Sequence, residues 1–372
     1  MLESLNAWLS AVPGGGLMWT VLMFIVVISI LVFVHELGHY LAARSMKVRV
    51  ETFSIGFGKE IWGFNDKSGT RWKVAAIPLG GFVKMVGDDR TDQAAQQPGA
   101  FFSKSVWARM WIVVAGPLAN FLFAVVVLTG LMMVGEQKLA ATLGDVQPES
   151  AAEAAGLKTG DTVLTVDGTP VDDWTAMSTL IGQRGGVPTT LTVKRSDETL
   201  TVAITPKLIE TKDIFGDVQR IGLIGVRSGN HYFLVQHPAN SALVLGVQRT
   251  WEITTMTLKA IWRMITGAMP ADIGGPLTIA DMAGKSAENG GYALLMFMVI
   301  ISINLGLLNL FPIPILDGGH LVYFAVEAVK GSPVGERAQD VGYRVGLSIL
   351  VLLMSFAFYK DIMRIIMPML AD

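Results

Sequence analysis

The chain contains no cysteine. Disulfides, thiolate ligands and cysteine nucleophiles are therefore excluded, and any bound metal must be held by nitrogen and oxygen donors. Charge is also scarce. Only 16% of the 372 residues are Asp, Glu, Lys or Arg, against 51% hydrophobic, and the formal net charge is −2. Charge so thin and so balanced leaves no footprint for nucleic acid. Residues 1–16 hold no Lys or Arg. The first apolar run thus lacks the basic flank and the small-residue cleavage site of a signal peptide, and reads as a retained span. With a mean hydropathy of +0.49, what remains is the composition of a polytopic membrane protein with soluble parts.

Four runs are long enough to cross a hydrocarbon core of ~30 Å: Leu17 to about Ala43, Trp107 to about Val134, Tyr292 to about Phe311, and about Val341 to Met367. Between the first two, from Arg44 to Arg109, the chain is rich in Lys and Arg, Arg90 among them. The positive-inside rule places that loop in the cytoplasm and the N-terminus outside. Lys330, Arg337 and Arg344 mark a second cytoplasmic loop, while Lys360 and Arg364 near the outer end of the last span breach the rule mildly.

Inside the basic loop, Val48–Ile55 and Trp72–Lys84 alternate as strands. Ile77–Lys84 carries one Pro and two Gly in an apolar stretch. It reads either as a surface hairpin or as an edge strand dipping beside a site, where an extended peptide can add to it. Residues 139–208 are soluble in character: a short helix over Ser150–Gly156, a strand over Asp161–Val166, a helix over Asp173–Arg184, and a hairpin about Ser196-Asp197. Residues 240–267 carry Arg249, Glu252, Lys259 and Arg263 near one face and read as an amphipathic helix at the outer membrane boundary, with a tilted span as the lesser alternative. Gly274–Ala280 reads as a loop or helix start. The expected fold is a polytopic α-helical membrane protein of about four transmembrane helices, with a membrane-associated β-rich loop and an inserted α+β domain. Its segments are 1–44, 45–106, 107–135, 139–208, 209–291, 292–330 and 341–367.

Ionisable groups at membrane depth are expensive and mark function. His35, Glu36 and His39 lie near the inner end of the first span. Positions i and i+4 share a helix face, so His35 and His39 can offer ring nitrogens to one metal, with Glu36 beside them as general base. This is the HExxH pattern of zinc sites. A catalytic zinc has a third protein ligand. The third span ends in Asn309-Leu-Phe-Pro-Ile-Pro-Ile-Leu-Asp317, where Pro312 and Pro314 stop the helix and predict an extended segment over Phe311–Leu316. Running outside to inside, that span brings Asp317 to the same side as HELGH. Asp317 reads as the third ligand or as a helix N-cap. Asn309 reads as a donor to substrate or oxyanion, or as a partner for backbone freed by Pro312. Asn120, in Ala115-Gly-Pro-Leu-Ala-Asn-Phe121, reads as helix–helix glue or as a catalytic group. His320 has no assigned role, and His231 and His237 read as surface residues.

HELGH in an early span, GGFVKM in the loop, AGPLANF in the second span and NLFPIPILDGGH in a later one resemble the site-2 protease family of intramembrane zinc metalloproteases. The stretch SAAEAAGLKTGDTVLTVDGTPVDDW resembles bacterial PDZ domains. The resemblance implies one Zn2+ per chain on His35, His39 and Asp317, with Glu36 as catalytic base and Asn309, Gly80, Gly81 and Phe82 at the substrate. It implies a multi-pass protein of the bacterial inner membrane with its PDZ domain on the periplasmic side. Its partners would be the lipid bilayer and single-span membrane substrates, such as an anti-sigma factor or remnant signal peptides, cut after a first extracytoplasmic cleavage. The enterobacterial members of the type carry two tandem PDZ domains; this chain has one. A PDZ adaptor with a structural metal and a metal transporter are the competing classes. Neither needs a base beside the ligands.

Overall fold

The computed structural model describes residues 15–89, 93–213, 215–271 and 274–371. Residues 1–14 and Arg90, on which the orientation rule above draws, lie outside them. In chain order the first elements are α1 (Gly15–Ser45), β1 (Val50–Asn65), β2 (Arg71–Met85), α2 (Val106–Val134), β3 (Glu136–Leu139), β4 (Leu143–Val146), α3 (Ala151–Ala154), β5 (Thr162–Val166), β6 (Thr169–Pro170) and α4 (Trp174–Gly182). There follow β7 (Thr189–Arg195), β8 (Glu198–Ile204), β9 (Lys207–Lys212), β10 (Val218–Leu223), β11 (Val226–Ser228), β12 (Tyr232–Val235), α5 (Ala239–Ile265), α6 (Pro276–Glu288), α7 (Gly291–Leu310), α8 (Asp317–Lys330) and α9 (Glu336–Ala371). Among the described residues four helices, α1, α2, α7 and α9, are long and apolar enough to cross a membrane, where the sequence places four spans.

The chain divides into two compact units, residues 1–129, 243–258 and 272–372 in one, and 130–242 with 259–271 in the other. In the first, Trp19, Met23, Val27 and Leu31 of α1 pack against Ala283 and Ala287 of α6 and Leu294, Phe297 and Met298 of α7. Helix α6 is longer than the sequence suggests. Its N-terminus is capped from a distance: the carboxylate of Asp361 in α9 accepts from the amides of Gly275, Leu277 and Thr278 at 3.0, 2.9 and 3.2 Å. Arg364 donates to the Thr278 hydroxyl at 2.9 Å. The Asp361 carboxylate thus serves a helix terminus, whose free amides need acceptors and whose dipole favours an anion.

Between α7 and α8 the backbone is a tight turn, not the extended segment expected. Phe311 is extended (φ −66°, ψ 145°), but the Ile313 amide donates to the Phe311 carbonyl at 2.7 Å and the Leu316 amide to the Ile313 carbonyl at 2.8 Å. These local bonds satisfy backbone that cannot rely on water at membrane depth.

The β-rich loop is one folded hairpin. Its turn is tied by Asp66, which accepts from the Ser68 and Thr70 amides, the Tyr40 hydroxyl and the Trp72 indole. Burial would raise the Asp66 pKa, but these donors outweigh it and hold the carboxyl down at about 2. Gly56 and Gly58 in β1 and Gly80 in β2 have φ of 87°, 86° and 104°, a region open to glycine, and bend both strands. As a result residues 50–55 pair with 71–74 on one side and with 81–85 on the other, while 71–75 pairs onward with 60–65. The stretch Gly81–Met85 is left as an edge.

In the second unit the elements expected over 139–208 are present, with β6, β5, β7 and β8 in one sheet. Leu143, Val163, Val166, Met177, Ile181, Leu191 and Val193 form its core. The unit extends past residue 208, however. Ile224 belongs to that core, β11 pairs with β4, and β12 pairs with β3. Asp161, fully buried, is held by Arg195 through two bonds of 2.7 Å, which keeps its carboxyl below the usual range.

Candidate metal centre

One turn apart on α1, the rings of His35 and His39 lie 4.8 Å centre to centre, as i, i+4 spacing requires. Their Nε2 atoms face each other at 3.2 Å. Asp317, the first residue of α8, sends Oδ2 to 3.1 Å from His35 Nε2 and 3.4 Å from His39 Nε2. The N-cap of that helix is Leu316, so the capping role weighed for Asp317 does not apply.

Three donors in mutual contact at these distances have a simple geometric meaning. Zinc bonds of about 2.0–2.2 Å in a tetrahedron put neighbouring ligand atoms roughly 3.3–3.6 Å apart. Of the observed edges, 3.4 Å falls in that range and 3.1 and 3.2 Å lie just below it. Asp317 Oδ2 is moreover a buried oxygen that accepts no hydrogen bond, a costly condition unless a cation takes the lone pair. The residues present fit a metal, and two imidazoles with one carboxylate are a hydrolytic zinc donor set.

Helix α2 backs this cluster. It approaches α1 closely at small residues. A Cβ on Gly38 would sit 2.7 Å from Ala119 Cβ and 2.9 Å from the Ala115 carbonyl carbon, and one on Gly116 would fall 2.5 and 2.8 Å from Cε1 and Cδ2 of His39. The close approach lets His39 Nδ1 reach the Ile112 carbonyl at 2.9 Å and His35 Nδ1 reach the Asn120 amide at 3.1 Å. Lower on α2, Arg109 grips Glu327 of α8 through two bonds of 2.6 and 3.1 Å. Its guanidinium also lies 4.8 Å from the Phe324 ring. The helix that carries Asp317 is thereby tied to the helix that supports the histidines.

The cluster opens into a cavity of about 840 Å³ lined by His35, Glu36, His39 and Asp317, with Gly81 and Phe82 on one wall. Glu36 is half-buried there. The edge strand reaches it directly: a Cβ on Gly81 would meet Glu36 Cγ at 3.2 Å, and the Val83 backbone amide interacts with its carboxylate. His320 also lines the cavity. Gly80 sits at the bend of β2, against the Phe57 ring. Asn309, half-buried in the last turn of α7, is not among the described residues that line the cavity.

Sequence reasoning brought HELGH and Asp317 to one side and the structure brings them into contact. It missed the Ile112 carbonyl, which no side chain announces; it read Gly116 as a site of close helix packing and Asn120 as helix–helix glue or a catalytic group, without placing either against a histidine. The signal for those two was present, since a glycine and an amide stand at i, i+4 in an apolar span.

The chain matches peptidase family M50 over residues 23–353. It is 39% identical to a protein of Agrobacterium fabrum named as a zinc metalloprotease, over 92% of this chain and 95% of that protein. A Rickettsia conorii protein named in the same way is 38% identical over 94% of this chain and 99% of its own length. The regulator of sigma-E protease RseP of Salmonella typhimurium is 32% identical over 94% of this chain and 99% of that protein. That last alignment spans 453 positions against the 372 residues here, so the Salmonella protein carries additional residues.

Proposed function

The chain belongs to peptidase family M50, and from that membership we propose that it is a zinc endoprotease that hydrolyses peptide bonds within the transmembrane segments of single-span membrane proteins. The observation that carries the proposal is the mutual contact of the donor atoms of His35, His39 and Asp317, with Glu36 facing the same cavity. In this reading those three residues hold zinc, which when bound lowers the pKa of a water towards ~7 and polarises the scissile carbonyl. Glu36 takes the proton of the attacking water and delivers it to the departing amide nitrogen.

The edge Gly81–Met85, which pairs with β1 on one side, supports strand addition by an unwound substrate that displaces the contacts of its Val83 and Met85 amides with Glu36 and Asp88. Main-chain bonds to that edge would align the scissile bond beside Glu36, with Gly81 and Phe82 against the peptide. Gly80 would set the bend that presents the edge. Asn309 would act on substrate only if the α7 terminus closes towards the cavity.

Further parts of the proposal concern setting. The protein sits in the bacterial inner membrane with the 130–242 unit on the periplasmic side. That unit, PDZ-like in its 139–208 part, excludes substrates whose outer domain has not been removed. Anti-sigma factors and remnant signal peptides are the substrate classes that meet this description.

Glu36→Gln tests the chemistry. The variant keeps zinc, because Glu36 is not a ligand, and loses cleavage of a transmembrane reporter by at least about 100-fold, the lower range for a general base. Zinc-loaded Glu36→Gln cleaving at the parent rate would sink the protease mechanism. A parent that binds zinc and cleaves no membrane substrate would favour an adaptor.

A further inference from the structure

Residues 112, 116 and 120 of α2 stand at i, i+4, i+8 and form one stripe against α1. Ile112 and Gly116 meet His39; Asn120 meets His35. Asn120 is fully buried. An amide at this depth is costly unless its polar atoms are partnered, yet its Oδ1 accepts no hydrogen bond while its Nδ2 lies 3.1 Å from His35 Nδ1.

The two imidazoles demand different things of their surroundings than that orientation offers. Both Nε2 atoms point into the donor cluster, so to hold a metal each must present a lone pair there, and each Nδ1 must then carry the proton. His39 Nδ1 faces the Ile112 carbonyl, which can only accept. His35 Nδ1 needs an acceptor too. A half-turn of the Asn120 amide exchanges two groups of nearly the same shape and brings the unsatisfied Oδ1 onto His35 Nδ1. No hydrogen bond at Oδ1 is lost by the turn. The backbone that carries this side chain is held from behind, because the Ser302 hydroxyl of α7 donates to the Asn120 main-chain carbonyl at 2.9 Å and is itself fully buried.

We propose that Asn120 is the positioning residue of His35: its amide oxygen accepts from the imidazole Nδ1–H and fixes the tautomer whose Nε2 faces the metal. The proposal rests on the zinc reading above. Asn120 and the Ile112 carbonyl then form a matched pair of outer acceptors on one helix, one for each histidine. Such partners orient a ligand ring and raise its basicity, and their loss costs roughly 10–100-fold in metal affinity.

The test is zinc affinity of the full chain in detergent micelles, by competition with a chromophoric chelator, for the parent, Asn120→Leu, Asn120→Asp and His35→Ala. Leucine fills the same volume without an acceptor. Aspartate keeps the acceptor in the same shape. Asn120→Leu is expected to bind zinc roughly 10–100-fold more weakly, with the unfolding temperature of the metal-free protein unchanged, and Asn120→Asp to stay within about threefold of the parent. A purely structural role would not separate the two variants in this way. If Asn120→Leu does not fold, Asn120→Ala replaces it in the same comparison. Parent-like affinity in Asn120→Leu, or equal losses in the leucine and aspartate variants, would overturn the proposal. Parent-like affinity in His35→Ala would instead overturn the zinc reading.

Discussion

Substituting Gly116 by alanine adds one methyl group where α1 and α2 are closest. That methyl would stand 2.5 Å from His39 Cε1 and 2.8 Å from Cδ2, with Nε2 closer still. Ordinary contact between such atoms begins near about 3.5 Å, so roughly 1 Å must be found. The ring cannot retreat freely, because its Nδ1 is bonded to Ile112 and its Nε2 faces Asp317 at 3.4 Å. Helix α2 cannot withdraw without opening the close approach of Gly38 to Ala115 and Ala119 and the Asn120 contact on His35. Overpacking of this kind costs about 1–3 kcal/mol. A metal tolerates ligand displacements of only ~0.2 Å, so the larger effect is on the site. Gly116→Ala is expected to bind zinc at least about 100-fold more weakly, at or beyond the loss seen for outer-shell changes, and to lose cleavage in parallel. Gly130 is the control. On the same helix a Cβ there meets nothing within 4 Å, so Gly130→Ala is expected to be neutral or mildly stabilising through helix propensity. Chelator competition and a transmembrane reporter assay read both variants. Gly116→Ala with parent zinc affinity would refute the claim that α2 holds His39 in place.

Asp361→Ala removes the acceptor of three backbone amides and the Thr278 hydroxyl at the start of α6. It is expected to lower stability by about 2 kcal/mol, the upper range for a helix cap, measured by thermal unfolding in detergent; a shift indistinguishable from the parent would show that packing alone holds α6 on α1. Strands β3 and β12 pair Leu139 with Tyr232, and the Ala140 amide donates to the His231 carbonyl at 2.8 Å. Replacing residues 141–230 by an Asn-Gly turn therefore closes a hairpin at the natural ends. The shortened chain should cleave substrates that retain their outer domain, and the filter assignment fails if it still rejects them while cleaving trimmed ones.

Much of the centre was legible before any coordinates. The i, i+4 histidines with an adjacent glutamate follow from helical periodicity alone, since spacing within one helix determines which side chains share a face. Pro312 and Pro314 announce the break between α7 and α8 because neither can continue a helix. The basic loop from Arg44 to Arg109 predicts an orientation of the spans that puts HELGH and Asp317 on one side.

Contact between those segments was not legible, nor was what lies behind them. In lipid, a helix is apolar on every face, and lipid tails differ little from a leucine surface. Hydrophobic periodicity thus does not reveal which side of α2 meets α1. Only packing made Gly116 a point of contact, the Ile112 carbonyl an acceptor and Asn120 a neighbour of His35. The same holds for Asp361, which caps a helix far away in sequence, and for the bends at Gly56 and Gly80 that leave Gly81–Met85 on an edge beside Glu36. The sequence by itself determined which groups could serve a metal and on which side they lie. The tertiary structure decided how closely they meet and what supports them, because distances between remote segments depend on how small residues let helices approach.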